Sequence, residues 1–167
     1  GLGLFAALFV LVGLMLPTQF TVKRTIVINA SASEIHPYVN DLKEWPKWAP
    51  WQEADPTIKT TLGGITAGVG ATQSWAGESG SGELTFIESS PLKGVHYDMS
   101  FGGDTSKYDA GFRYEEQGAQ TTVVWYMNGD MEPPIIGGYF ALMMDTFVGD
   151  MFYQGLVNLK FEVENKS

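Results

Sequence analysis

The chain has no cysteine, which removes disulfides, thiolate zinc sites, cysteine nucleophiles and a lipobox-type lipid anchor together. Basic residues are also scarce: ten Lys and Arg stand against nineteen Asp and Glu, for a net charge of −9. Neutralising phosphates requires clustered cations, so nucleic acid is excluded as a partner class. Histidine is limited to His36 and His96, with no H-x-x-x-H or similar spacing. No metal site and no cofactor are expected from that inventory. "GGITAGVG", Gly63–Gly70, lacks the lysine of a phosphate loop and leads into a strand, so it reads as a hairpin loop and a candidate cavity lip.

Charged and polar side chains are missing altogether from Gly1 to Leu16, after which Pro17 ends the run. At ~1.5 Å per residue a helix there covers roughly 24 Å, short of the ~30 Å hydrocarbon core of a bilayer. The sequence does not begin with Met and no A-x-A cleavage site follows, so the segment is expected to be the end of a longer single-pass transmembrane anchor. This divides the chain into an anchor over 1–17 and a domain over 18–167, with localisation at a membrane. Only one flank, with Lys23 and Arg24, is available, which leaves the side of the membrane open.

Beyond the anchor, 44% hydrophobic and 13% aromatic content suffices for one well-buried domain. Phe20, Val22, Arg24, Ile26 and Ile28 share one parity, the pattern of a strand with a mostly apolar face. Ser31 and Glu34 form a capping-box signature before a short helix that Pro37 limits. "EWPKWAPW", Glu44–Trp51, holds three of the five tryptophans on a segment that Pro46 and Pro50 keep from being a continuous helix. From Thr57 to Met127 glycine turns separate a run of strands, and from Ile135 to Glu164 a proline-free amphipathic stretch predicts one long helix, bent near Gly149. Phe140, Met143, Met144, Phe147, Met151, Phe152, Leu156, Leu159 and Val163 are its expected apolar stripe.

In order and spacing, "TIVINASASEI", "WPKWAPW", "GVGATQSWAG", "TTVVWYMNGD" and "GLVNLKFEVE" resemble the recurring blocks of START-like (SRPBCC) proteins, in particular the polyketide cyclase/dehydrase-like group and its membrane-tethered members. The resemblance implies an α+β helix-grip fold: a curved antiparallel sheet of six to seven strands wrapped on a long C-terminal helix, with a cavity between them. In that frame Trp45 and Trp48 read as wedges closing one end of the sheet, and Trp51 serves either as wedge or as ligand contact.

Strand parity then selects a lining. Tyr97, Met99 and Phe101 share one face of their strand, Phe112 and Tyr114 one face of the next, and Trp125 lies in the inner row of "TTVVWYM". With Trp51, Trp75, Met143 and Phe147 these make the candidate ligand-binding set, in which tyrosine hydroxyls are the polar points. The same parity turns His96 and Asp98 outward and leaves His36 without a nucleophile beside it, so no catalytic residue is expected. Three readings follow. The first is a membrane-tethered module that binds a hydrophobic small molecule, lipid or quinone-like. The second is an accessory subunit of a larger membrane protein complex, and the third a cyclase- or dehydrase-type enzyme.

Overall fold

The computed structural model describes residues 1–102, 107–131 and 134–166; Ser167, the last residue of the expected domain, lies outside them. A helix α1 (Leu2–Met15) precedes β1 (Gln19–Ile28) and α2 (Ala32–Asn40). A 3-10 turn over Trp45–Lys47 and the short α3 (Trp51–Ala54) carry the tryptophans. Strands β2 (Lys59–Leu62), β3 (Thr72–Gly77), β4 (Gly80–Ser90), β5 (Gly94–Phe101), β6 (Tyr108–Gln117) and β7 (Gln120–Asp130) follow, and α4 (Ile136–Glu164) ends the fold. The seven strands form one antiparallel sheet in the order β1-β7-β6-β5-β4-β3-β2, with α4 lying across β1 and β7. This is the α+β arrangement of a sheet gripping one long C-terminal helix.

Local chemistry accounts for the elements. Ser31 Oγ accepts from the Glu34 amide while Glu34 Oε2 accepts from the Ser31 amide, so the capping box starts α2. Across the inner face Phe86, Tyr97, Ala110, Met127 and Val22 are in register, every one of them buried. Gly94, at φ 125, closes the β4–β5 hairpin where a Cβ would lie 1.8 Å from the Phe112 carbonyl oxygen.

The tryptophan turn is a wedge at Trp45 and Trp48. Both are buried, and each indole N–H has a backbone acceptor, Val39 O for Trp45 and Tyr38 O for Trp48, at 2.9 Å. Asn158 Nδ2 on α4 donates to Trp48 O at 3.1 Å, tying the turn to the long helix. Trp125 sits at the junction, stacked between Phe112 and Phe152 with ring centroids 4.7 and 4.1 Å away. Gly155 lets α4 approach: a Cβ there would meet Trp125 Cζ3 at 2.8 Å and Pro50 Cδ at 3.1 Å. Gly149 is explained in the same way, because a Cβ would stand 2.1 Å from Arg24 Nη2, and Arg24 bonds Asp145 at 2.9 Å. A glycine read as a bend is a seat for an arginine.

Three expectations need correcting here. Among the described residues no helix is long and apolar enough to cross a membrane, so the expected transmembrane helix is not found. α1 has 14 residues, or ~21 Å, and the longer α4 carries Asp145, Asp150, Lys160, Glu162 and Glu164. α1 instead packs by its C-terminal half on α4, with Phe9 stacked on Tyr139 at 4.4 Å and Tyr139 Oη donating to Phe9 O at 2.7 Å. The loop 63–70 pairs with the end of α2 through an Asp41–Ala67 bridge and is no cavity lip.

His36 is the third correction. A register shift between Phe86 and Glu88 turns Ser89 to the inner side, where its Oγ lies 3.2 Å from His36 Nε2. Tyr114 Oη is 3.0 Å from His36 Nδ1, and Ser89 donates its own proton to Asn40 Oδ1. The tautomer that satisfies all three groups has Tyr114 donating to Nδ1 and Nε2–H donating to Ser89. Ser89 is thereby a committed donor, not an activated nucleophile.

Three outcomes are expected. Gly155→Val should lower the urea midpoint, since overpacking against Trp125 and Pro50, at about 1–3 kcal/mol, outweighs the helix propensity that glycine forgoes. Gly3→Ala, with nothing within 4 Å of the new methyl, should be neutral or slightly stabilising. Burial lowers the His36 pKa, so the unfolded chain binds that proton more readily than the folded one. Stability from this group should therefore be complete above about pH 6.5 and decline as pH falls below it. Urea titrations between pH 7.5 and 5.5 should show this slope, and His36→Gln should flatten it.

Candidate functional site

Between the β2–β5 end of the sheet and the middle of α4 lies a cavity of about 520 Å³. Its floor comes from Thr60, Gln73, Trp75, Leu84, Tyr97, Met99 and Phe101, and its roof from Val148, Met151 and Phe152 of α4. Trp51 and Met127 adjoin it, and Ile58, Gly102 and the β3–β4 turn from Ser79 to Ser81 are the rest of the lining among the described residues. The volume falls in the range of pockets that enclose drug-sized molecules. Among the described residues, none that lines it is charged.

The floor follows from register and side-chain size. Gln73, Leu84 and Met99 form one cross-strand row; Thr60, Trp75, Gly82 and Phe101 form the next. Gly82 has no side chain where the Trp75 indole lies, since a Cβ there would be 2.3 Å from Cζ2. Trp75 thus lies over the strand and meets Phe101 edge-on, centroids 6.2 Å apart. The β3–β4 turn is pinned by Asp55, whose Oδ2 accepts from the Ser79 amide at 3.0 Å and from Ser79 Oγ, while Oδ1 accepts from the Thr57 amide and hydroxyl. The Ser79 and Thr57 hydroxyls hold the Asp55 carboxyl well below the usual carboxylate range.

Of the ten candidate ligand-binding residues, Trp51, Trp75, Tyr97, Met99 and Phe101 line the cavity. Phe112, Tyr114 and Trp125 do not; they are buried in the packed end of the sheet that Trp45 and Trp48 fill. Met143 and Phe147 are corrected more sharply, being 47% and 61% exposed. At ~100° per residue they stand about 180° and 140° around α4 from Phe152, so the inward face is carried by Met144, Val148 and Phe152 instead.

The polar points also differ from the expectation. Tyr97 Oη accepts the Trp125 indole N–H at 3.0 Å, and burial pushes its phenol far above the ordinary value. Tyr114 is spent on His36. Gln73, Thr60, Ser79 and Ser81 supply the polarity, and of these Gln73 is buried. Parity with Trp75 on "TQSWAG" was the signal for Gln73. None of these four groups is a general base at neutral pH.

One constellation appears on the opposite face. His96, Asp98 and Asp109 have ligand-type atoms within 4.8 Å of one another, although the sequence spacing offers no such set. An imidazole with two carboxylates suits a divalent transition metal. Here His96 Nε2 bonds Asp109 Oδ1, and Asn128 Nδ2 donates to Asp109 Oδ2 at 3.3 Å. The trio is on the outer side of the sheet and is no part of the cavity.

Comparison with known proteins bears on the fold and the family. The chain is similar to TTHA0849 from Thermus thermophilus, with 15% identity, a TM-score of 0.65, and coverage of 88% of this chain and 99% of that one. A Thermobifida fusca protein is similar at 20% identity and a TM-score of 0.64, over 87% and 93% of the two chains. DynU16, from the dynemicin biosynthetic locus, matches at 14% identity and a TM-score of 0.61 over 86% of this chain, which spans 47% of DynU16. No curated protein matches the sequence. The profile of the family described as "Polyketide cyclase / dehydrase and lipid transport" matches residues 19–164, that is, everything from the first strand to the end of α4, and the chain belongs to that family.

Proposed function

We propose that this protein binds a hydrophobic small molecule, lipid or quinone-like, in the cavity between the sheet and α4, and that it does so at a membrane surface. The lining supports the first half: aromatic rings, methionines and aliphatic side chains enclose the space, with a few neutral polar groups to orient a guest. Binding is favoured over turnover because, among the described residues, the cavity lining offers none to move a proton at neutral pH. Family membership is compatible with ligand carriage or with cyclase-type chemistry, and the lining favours carriage.

The second half rests on an apolar surface. Leu2, Leu4, Phe5, Leu8, Leu11 and Leu14 of α1 are exposed, and Phe140, Met143 and Phe147 continue the surface along α4. Such a surface is larger than isolated exposed side chains and marks a contact with lipid or with protein. α1 has no charge or polar side chain at all, which favours hydrocarbon. With a net charge of −9 the chain gains nothing from anionic headgroups, so apolar insertion has to supply the affinity. The same surface supports the second reading, an accessory subunit of a larger membrane protein complex.

Two measurements test these halves separately. A hydrophobic fluorescent probe should bind the wild type, and Val148→Trp, which fills the cavity from α4, should weaken it tenfold or more while circular dichroism is unchanged. Equal affinity in folded Val148→Trp would sink the cavity reading. In flotation with phosphatidylcholine vesicles the wild type should rise with the lipid, and Phe140→Ser with Phe147→Ser should reduce the bound fraction. A protein that stays at the bottom of the gradient, yet co-purifies from native membranes with a stoichiometric protein, would favour the subunit.

A further inference from the structure

We propose that Gln73 is the specificity-determining residue of the cavity, and that it selects a ligand with a neutral hydrogen-bonding group, a ketone, quinone, ester or amide carbonyl in particular, on an otherwise apolar body. This rests on the cavity-binding reading above. Gln73 is only 6% exposed, yet its side chain has no hydrogen-bond partner among the described residues. Its amide is not sealed against apolar neighbours either, because it forms part of the cavity wall. Its amide atoms keep accessible surface, so water meets them in the empty cavity, and a guest that displaces that water has to replace its hydrogen bonds or lose affinity.

The surroundings narrow what that something is. Gln73 is flanked across the strands by Leu62 and Leu84, with Met99 beyond, and shares its own strand face with Trp75. All but Leu62 line the cavity, so a guest bonded to Gln73 would lay its body against Trp75, Met99 and the α4 side chains Met151 and Phe152. Among the described residues no lysine, arginine or histidine lines the space, and a carboxylate or phosphate placed beside Gln73 would be a buried charge without a counter-ion. A glutamine cannot change charge to accommodate one. The amide N–H₂ therefore donates to a neutral acceptor, and the amide oxygen remains to receive a hydroxyl or N–H where the ligand has one. Hydrocarbon alone leaves the amide unmet, which is how one polar residue discriminates in an apolar pocket.

The test uses the full chain and two probes: an acyl-naphthylamine dye, whose ketone is its only strong acceptor, and diphenylhexatriene, a hydrocarbon. Gln73→Met keeps length and volume while removing both hydrogen-bonding functions. The ketone dye should bind this variant about five- to tenfold more weakly, and diphenylhexatriene equally or better. A matched pair on wild-type protein makes the result independent of the variant's folding. The ketone dye should exceed its methylene analogue by about fivefold after correction for water–octanol partition. Equal shifts for both probes in Gln73→Met, or no preference for the ketone over its analogue, would overturn the assignment while leaving the cavity intact. Failure of both probes to bind wild type would remove the cavity reading and this inference with it.

Discussion

The stack of Phe112, Trp125 and Phe152 is the contact on which the fold and the site both depend. Trp125 belongs to β7, Phe112 to β6 and Phe152 to α4, so one indole joins the sheet to the long helix. Trp45 and Trp48 lean on it edge-on, at 6.3 and 5.5 Å, and Trp51 does the same at 5.6 Å. The rings cannot be compressed, so α4 comes close only where it has glycine, at Gly155. The aromatic block packs one end of the sheet–helix space. What is left open, toward β2–β5, is the cavity. Its position is thus a consequence of where the tryptophans stop, and Trp51 is both the last ring of the block and the first of the lining.

The polar groups of the interior follow a related rule. Where the space is packed, each buried polar group has a partner inside the protein: the indole N–H groups bond backbone carbonyls or Tyr97, and His36 is held between Ser89 and Tyr114. Gln73 differs because it faces the part that is not packed. Low dielectric strengthens a hydrogen bond and penalises an unmet one to a similar degree, so one amide in an apolar chamber carries more discrimination than several on a surface. The Asp55 network is the boundary between these regimes. It ties the β3–β4 turn to the segment after α3 with four donors on one carboxylate, so the wall that carries Gln73 and Trp75 keeps its shape beside open solvent.

Much of the fold is legible in the sequence because it depends on short-range rules. The capping box of Ser31 and Glu34, the alternation through Phe20, Val22 and Ile28, and the prolines that break the tryptophan segment act within a few residues and appear where they are read. The site is less legible, for three physical reasons. Parity tells which face a strand residue occupies, not whether the space above it is filled, so Phe112 and Trp125 share an inner face with Met99 and yet touch only side chains. A bulge reverses parity without a clear mark in the chain, and the shift at Ile87 is what brings Ser89 to His36. The helix has no sharp apolar stripe to set its phase: with large hydrophobics all round α4, Phe147 and Val148 are equal candidates until packing chooses.

That all-round hydrophobicity has its own meaning. A helix lying on a sheet needs one apolar face, and the C-terminal half of α4 has one, with Leu156, Leu159 and Val163 buried while Gln154 and Glu164 are exposed. The N-terminal half adds Phe140, Met143 and Phe147 on the other side, and α1 docks beside that half through Gly13 and Gly138, which bring the helices close at Ile135 and Leu16. Neither glycine tolerates a Cβ without displacing its neighbour, so the two apolar segments are held as one surface. Val148, one residue from Phe147, belongs to the roof of the cavity. The outer face of α4 at Phe147 and the roof of the cavity at Val148 are thus carried by neighbouring residues of one helix. One element, the N-terminal half of α4, therefore carries both the exposed apolar surface and part of the cavity wall.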